Sequence, residues 1–511
     1  MPSLRSALKF LCFTAGGISL SALVGCGGGS STQFINNTES FSNANLKGSY
    51  VYQLHGGNAL TLGPYRETGV FTADGAGNIT GGSDDISQSA TGASVTGSYQ
   101  ISLDGTGSMT ITGELGTINL AITMVSNSKV YLMEADNLNV TGLGADANGV
   151  AELQDPTAAG TTPAGSFAFR IHEDVNQSQV PAALVGAFTV PGSGVNGAMD
   201  QNVDGTFTSP NLTWTFGAPG SLGRGTGTFL NASTNVTSNF VYYIVNSSKI
   251  DLLMSDTNVT GAGSAEAQSG AIGTGLSGTY AFGSSGDDSN ALSGFFGTVA
   301  SVGEFNASGG NISGTEDTNV DGTVTPSAAI NNCYSASANG RVTVTNLSGS
   351  TCSSTITQVF WMVNPSRAFF LDVNSGNFDD GSADLQTASN FSASTIKGQF
   401  ALVMGGFDAS PEQFGGPPQL LSRVGVAQFD GTGKIVINEL ANASDPTNGS
   451  VSAPGLLSGT YTVSSNGRIT AGAANANGGF DFVIYAISGS QGYALQDDAG
   501  TITSGTLERQ P

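Results

Sequence analysis

The chain has 511 residues, of which 10% are charged and 39% apolar, with 74 glycines and a formal net charge of −23. Disordered chains pair low hydrophobicity with high charge, and this composition does neither. With 15 basic against 38 acidic residues there is no basic stripe to hold a phosphate backbone, which excludes nucleic acid as a partner, and no polybasic patch to hold anionic lipid.

Residues 1–26 read as an export segment. Arg5 and Lys9 supply a positive start, and Phe10 to Val24 form an apolar run of about 15 residues, too short and too broken by Gly16 and Gly17 to span a bilayer. The run ends in Leu23-Val24-Gly25-Cys26, which resembles the lipobox of bacterial lipoproteins. The resemblance implies export, cutting by the lipoprotein-processing signal peptidase, and diacylation of Cys26 as the mature N-terminus. It places the protein in the bacterial cell envelope, and Gly27 after the cysteine implies sorting to the outer membrane. Acyl chains at roughly 0.8 kcal/mol per buried CH₂ make such an anchor permanent. Residues 27–45 open on Gly-Gly-Gly-Ser-Ser-Thr and read as a flexible tether. Later apolar runs fall short of the ~18 residues a spanning helix needs, so the membrane is met through the lipid alone. A transmembrane β-barrel would make that lipid redundant.

Beyond the tether, small polar residues alternate with Val, Ile, Leu, Phe and Tyr, the period of half-buried strands. Tyr50, Tyr52 and Leu54 open a first strand, and Val70 to Ala73 and Ile79 to Thr80 flank the turn Asp74-Gly75-Ala76-Gly77-Asn78. Tyr99, Ile101 and Leu103 form the inner face of the next strand, and Met109 and Ile111 follow the Asp104-Gly105 turn. Leu120 to Met124, Val130 to Leu132 and Gly149 to Leu153 complete eight short strands without helical periodicity.

This unit recurs. Gly48-Ser49-Tyr50-Val51-Tyr52 returns as Gly165-Ser166-Phe167-Ala168-Phe169, Gly278-Thr279-Tyr280-Ala281-Phe282 and Gly398-Gln399-Phe400-Ala401-Leu402. A second phrase ends in Lys129, Lys249, Arg367 and Gln491. The period of about 115 residues is that of a domain rather than of a solenoid repeat. The expected domains are 46–155, 164–268, 276–387 and 396–510. An even number of hairpin-linked strands lets the first and last pair and remove both sheet edges. The fold class is therefore all-β: four tandem small antiparallel up-and-down β-barrels, with tandem β-sandwiches of immunoglobulin type as the alternative. The architecture resembles the lipocalin and avidin-like barrels, whose first strand opens on Gly-x-aromatic. Avidin-like proteins stack several tryptophans on biotin, whereas this chain has Trp214 and Trp361 in different repeats, so biotin binding does not carry over.

Candidate chemistry is sparse. Cys333 and Cys352, both in the third repeat, are expected to form a disulfide in an exported protein. His55 and His172 occupy equivalent places seven residues after the first-strand glycine, where Ser285 and Gly405 stand in the other repeats. No partner ligands accompany them, so no metal site is expected, and exposed strand ends explain both. Asp200-x-Asn202-x-Asp204-Gly205 and Asp317-x-Asn319-x-Asp321-Gly322 match half of a calcium loop, but Asn211 and Ala328 stand where its bidentate acid belongs; a turn explains both segments. Asp84 and Asp85 read as solvated charges in a polar turn. Nucleophile elbow, zinc-protease, phosphate-loop and dinucleotide motifs are absent, and neither an enzyme nor a cofactor is expected. The sequence leaves two roles open: a structural or adhesive lipid-anchored protein with filled barrels facing a cell-surface partner, or a lipocalin-like holder of a small apolar molecule or sugar inside them.

Overall fold

The computed structural model describes residues 40–58, 63–136, 145–175, 180–192, 194–288, 297–373, 376–408, 419–443, 450–452, 455–476 and 478–511. The export segment, Cys26 and residues 27–39 lie outside them.

The strands of barrel one are Lys47–Asn58, Pro64–Asp74, Asn78–Ile86, Thr96–Ile101 (preceded by the short piece Ala93–Ser94), Thr106–Gly113, Gly116–Ser126, Lys129–Glu134 and Ala145–Leu153. Each runs antiparallel to the next, and the last closes on the first with Tyr50 opposite Leu153. Residues 165–267, 278–385 and 397–509 repeat the pattern as barrels two, three and four. The four are closed eight-stranded up-and-down barrels, and the sandwich alternative falls with the open borders it needs. One inward assignment was wrong: the fourth strand ends at Ile101, and Leu103 sits in the turn with 73% of its surface exposed.

The repeated Gly-x-aromatic phrase has a backbone cause. Gly48, Gly165, Gly278 and Gly398 have φ of +120°, +111°, +104° and +117°, a region L side chains rarely enter. A Cβ on Gly48 would also come within 2.9 Å of Leu153 Cδ1.

Each interior is packed with side chains. Tyr50 on Phe71, Phe167 on Phe188 and Tyr280 on Phe305 stack at 5.5, 5.5 and 5.4 Å, and Phe400 meets Phe429 edge-on at 5.3 Å. In barrel two Trp214 fills the centre, 4.4 Å from Phe188 and 4.9 Å from Phe229, and its Nε1 has no hydrogen-bond partner. Residues leading into the first strands join these cores: Phe41 and Leu46 in barrel one, Ala158 in two, Leu276 in three, and Phe391 and Ile396 in four. Positions 41–45, read from sequence as tether, therefore belong to the packed structure around the short helical turn Asn43–Asn45.

Four further apolar clusters lie between barrels. Val51 and Val70 of barrel one meet Val241, Tyr243 and Val245 of barrel two. Ala168 and Val185 of two meet Val359, Trp361 and Phe369 of three. Ala281 and Val302 of three meet Val483, Tyr485 and Tyr493 of four. Ala401, Val403 and Val424 of four meet Ala121, Val125 and Tyr131 of barrel one. Every joint sets the first two strands of one barrel against the sixth and seventh of the next, so the contact is head-to-tail and the fourth closes a ring.

Cys333, on the fourth strand of barrel three, is disulfide-bonded to Cys352 at the start of the sixth, with their Cα atoms 5.8 Å apart.

Candidate functional site at the joints and axis of the ring

The polar residues singled out by sequence gather at the joints. Asp85 and Asp200 are buried outward-facing residues of third strands, and Asp317 holds the same register in barrel three. Asp85 receives Arg224 Nε and Nη2 at 2.6 and 2.8 Å and the Tyr243 hydroxyl at 2.7 Å, all from barrel two. Asp200 receives Arg341 Nε and Nη2, both at 2.7 Å, and Trp361 Nε1 at 2.8 Å from barrel three. Asp317 receives Arg468 Nε and Nη2 at 2.8 and 2.5 Å and Tyr485 at 2.7 Å from barrel four. Two positions on, Asn202 donates to the carbonyls of Asp372 and Asn377, and Asn319 to those of Gln496 and Thr501. The half-calcium motif is thus a joint, with Asp204 and Asp321 left to make the positive-φ turn. Among the described residues no group of three His, Cys, Asp or Glu is disposed to hold a metal ion.

Asp84 and Asp85 correct the polar-turn reading. Both are strand residues, 2% and 0% exposed. Asp84 belongs to the opposite face from Asp85, where burial raises its carboxyl to about 6. Glu67, buried in the same barrel, accepts from the Tyr52 and Tyr65 hydroxyls; burial outweighs those bonds and lifts it to about 7. Glu134, buried and close to Asp136 and Glu67, is raised further.

The second repeated phrase also belongs to the joints. Lys249 binds Glu152 of barrel one, Arg367 binds Glu266 of barrel two at 2.9 Å, and Lys129 binds Glu508 of barrel four. Gln491 stands in the cation's place in barrel four, and there Tyr493 donates to Asp384 instead. A third phrase escaped the sequence reading: an acid two residues before a glutamine, at Glu152/Gln154, Glu266/Gln268, Asp384/Gln386 and Glu508/Gln510. Each glutamine leaves its barrel and donates to carbonyls of the next: Gln154 to Ile244 at 2.7 Å, Gln268 to Met362 at 2.8 Å, Gln386 to Ala486 at 2.8 Å and Gln510 to Met124 at 2.7 Å. The regular spacing of that triplet was the signal that could have found it.

The two histidines lie near the axis and differ sharply. His172 Nδ1 is 3.0 Å from Asp380 Oδ2 and its Nε2 is 3.5 Å from Asp287 Oδ2, both in barrel three, so it is not a free strand end. Burial alone would lower its imidazole, but those two carboxylates carry it to about 10. Arg170 shares Asp380 at 3.2 Å, and Arg66 lies 3.8 Å from Asp174. His55 keeps exposed surface, yet burial, and after it Arg66, Arg170 and His172, push its imidazole down to about 3. Neither histidine is set up as a general base near neutral pH: one is held protonated by carboxylates, and the other has lost its basicity.

The chain matches no protein-family model and no curated protein. Among solved structures it aligns with the isotype 1 transferrin binding protein B of serogroup B Neisseria meningitidis, at 9% identity over 76% of this chain and 84% of that one, with a TM-score of 0.19. A mutant of the vaccine antigen transferrin binding protein B from Haemophilus parasuis Hp5 aligns at 10% identity over 94% and 99%, again with a TM-score of 0.19. Likeness at that level adds nothing to the reading of fold or role.

Proposed function

We propose that the chain is a lipid-anchored, non-catalytic protein of the bacterial cell envelope, acylated at Cys26 and held at the outer membrane. There it carries its ring of barrels in a structural or adhesive role towards a cell-surface partner. One observation carries the non-catalytic part: the four interiors are filled by side chains, in barrel one with the buried carboxyls of Glu67, Asp84 and Glu134 among the apolar ones, and the Asp–Arg clusters outside them pin barrel to barrel. A lipocalin-like reading needs an empty interior of roughly 300 Å³ or more, and Trp214 and its neighbours occupy that space in barrel two. Supporting the anchor are the lipobox-like Leu23-Val24-Gly25-Cys26 and the absence, among the described residues, of a helix long and apolar enough to cross a membrane.

Native mass spectrometry of the purified protein tests the role, with the bare chain mass expected. A stoichiometric small molecule surviving into the gas phase would restore the interior-ligand reading. Metabolic labelling with palmitate tests the anchor: label is expected on the parent and not on Cys26→Ala, and equal labelling of both removes it.

A further inference from the structure

The ring has one joint unlike the others. At the three joints crossed by the chain, the outgoing face carries Asp85, Asp200 or Asp317 and the incoming face carries Arg224/Tyr243, Arg341/Trp361 or Arg468/Tyr485. At the joint of barrel four with barrel one, the same register positions hold Leu440 opposite Val424 on the outgoing face, and Thr106 opposite Thr123 on the incoming face. Among the described residues no linker joins these two barrels directly. The glutamine tie that begins a linker elsewhere is made here by Gln510, next to the last residue of the sequence.

Two consequences follow. The outgoing face of barrel four fits barrel one and no other barrel, because Leu440 set against Arg224, Arg341 or Arg468 would strand a guanidinium in a desolvated joint. The two halves of the seam share a chain, which gives them a high effective concentration for each other. Head-to-tail contacts of this kind form closed rings within one molecule or join successive molecules, according to which partner is nearer.

We infer that the seam is an exchangeable interface whose second partner is another copy of this chain, barrel four of one molecule docking on barrel one of the next. The contacts are then those of the closed ring: Lys129 and Tyr131 with Glu508, Asn442 with the Glu134 carbonyl, Asn438 with Asp104, and the apolar patch around Val403 and Tyr131. Two copies exchanging both ends make a closed ring of twice the size, and unpaired ends make open chains. This goes beyond the envelope role and stands whether or not Cys26 is acylated.

The test uses charge reversal at the seam in the full mature chain. Glu508→Lys and Lys129→Glu, made separately, each set like charges against each other within one molecule. Mixed, the two variants match only across molecules: the introduced lysine meets the introduced glutamate at one seam, and the native pair forms at the other. Light scattering during gel filtration is expected to give the monomer mass for each variant alone and twice that mass for the equimolar mixture. The double variant, with both changes in one chain, is expected to run as a monomer, which shows that the substitutions permit folding. A mixture remaining at the monomer mass overturns the inference. So does doubled mass in a single variant alone, since the association would then not run through the matched seam.

Discussion

Replacing Arg341 by methionine removes one partner of a carboxylate that is 0% exposed by side chain. Asp200 accepts from Arg341 Nε and Nη2, from Trp361 Nε1 and from Ser209 Oγ, the last at 2.6 Å. The variant keeps the tryptophan and serine bonds and loses the two charge-assisted ones. Breaking a buried pair costs about 3–5 kcal/mol. Arg341 is 23% exposed by side chain, so water can reach the space it leaves, and the lower end of that range, about 3 kcal/mol, is expected. Removing both charges with Asp200→Leu/Arg341→Met leaves no ion stranded. Its main penalty is the orphaned indole N–H of Trp361, about 1–2 kcal/mol. The double variant should therefore be more stable than Arg341→Met alone by about 1–2 kcal/mol. Urea unfolding in a Trp214→Phe background lets Trp361 report this joint without interference from the barrel two core. If Arg341→Met costs under about 1 kcal/mol, or if adding Asp200→Leu makes matters worse, the joint is not held by a desolvated carboxylate and the reasoning fails.

Barrel one should lose stability as pH rises. Glu67 is raised in the fold from 4.5 to about 7, so its contribution is complete below pH 4.5 and is lost as pH climbs through 7. That amounts to about 3 kcal/mol at roughly 1.4 kcal/mol per unit, read as a falling slope in amide-exchange protection of barrel one that Glu67→Gln flattens. His172, raised from 6.5 to about 10, behaves in the same sense at higher pH: the joint between barrels two and three is strongest below 6.5 and weakens towards 10. Proton NMR should show the two imidazoles apart, His172 titrating near 10 and His55 near 3; two titrations close to 6.5 would contradict the axial geometry. Replacing Cys333 and Cys352 together by serine releases a loop of 19 residues. It should lower the stability of barrel three by about 3 kcal/mol in urea titrations, and a loss below about 1 kcal/mol would show that the bridge adds little to the fold.

All eight strands of the first repeat were readable, because a half-buried strand writes its inner face into the sequence with period two. Tyr50, Tyr52, Phe71, Ile111 and Leu120 point inward as the alternation requires. The joints were not readable for the same reason. On an outward face, Val51 and Val70 look like tolerated surface apolar residues and Asp85 like a solvated charge, and the sequence does not say which outward positions a neighbour will cover. Asp85 was misplaced into a turn because Asp84 follows Gly81-Gly82-Ser83, yet the same register in the next two repeats holds Asp200 and Asp317. Comparing outward positions across repeats would have separated joint residues from solvent-facing ones. Lys129, Lys249 and Arg367 were seen to recur, but without the matching acid-x-Gln triplet there was nothing for them to meet.

The same comparison explains what the three ionic joints contribute. A buried Arg–Asp pair is seldom worth more than the apolar residues that could replace it, and the seam shows such a replacement within this molecule: Leu440 packs against the apolar patch of Val403, Val424 and Tyr131, and Thr123 is fully buried. What the pairs add is exclusion. Asp317 docked on Thr106 and Thr123 would bury a carboxylate with no cation to meet it, and Leu440 docked on Arg224 and Tyr243 would bury the guanidinium without its acid. Either error costs several kcal/mol, enough to reject it against the correct joint. Barrels two, three and four present interchangeable incoming faces, so the ionic pairs alone do not order the middle of the ring; the short linkers do that. The pairs keep barrel one's incoming face free for barrel four, which makes the two ends of the chain complementary to each other and to nothing in between.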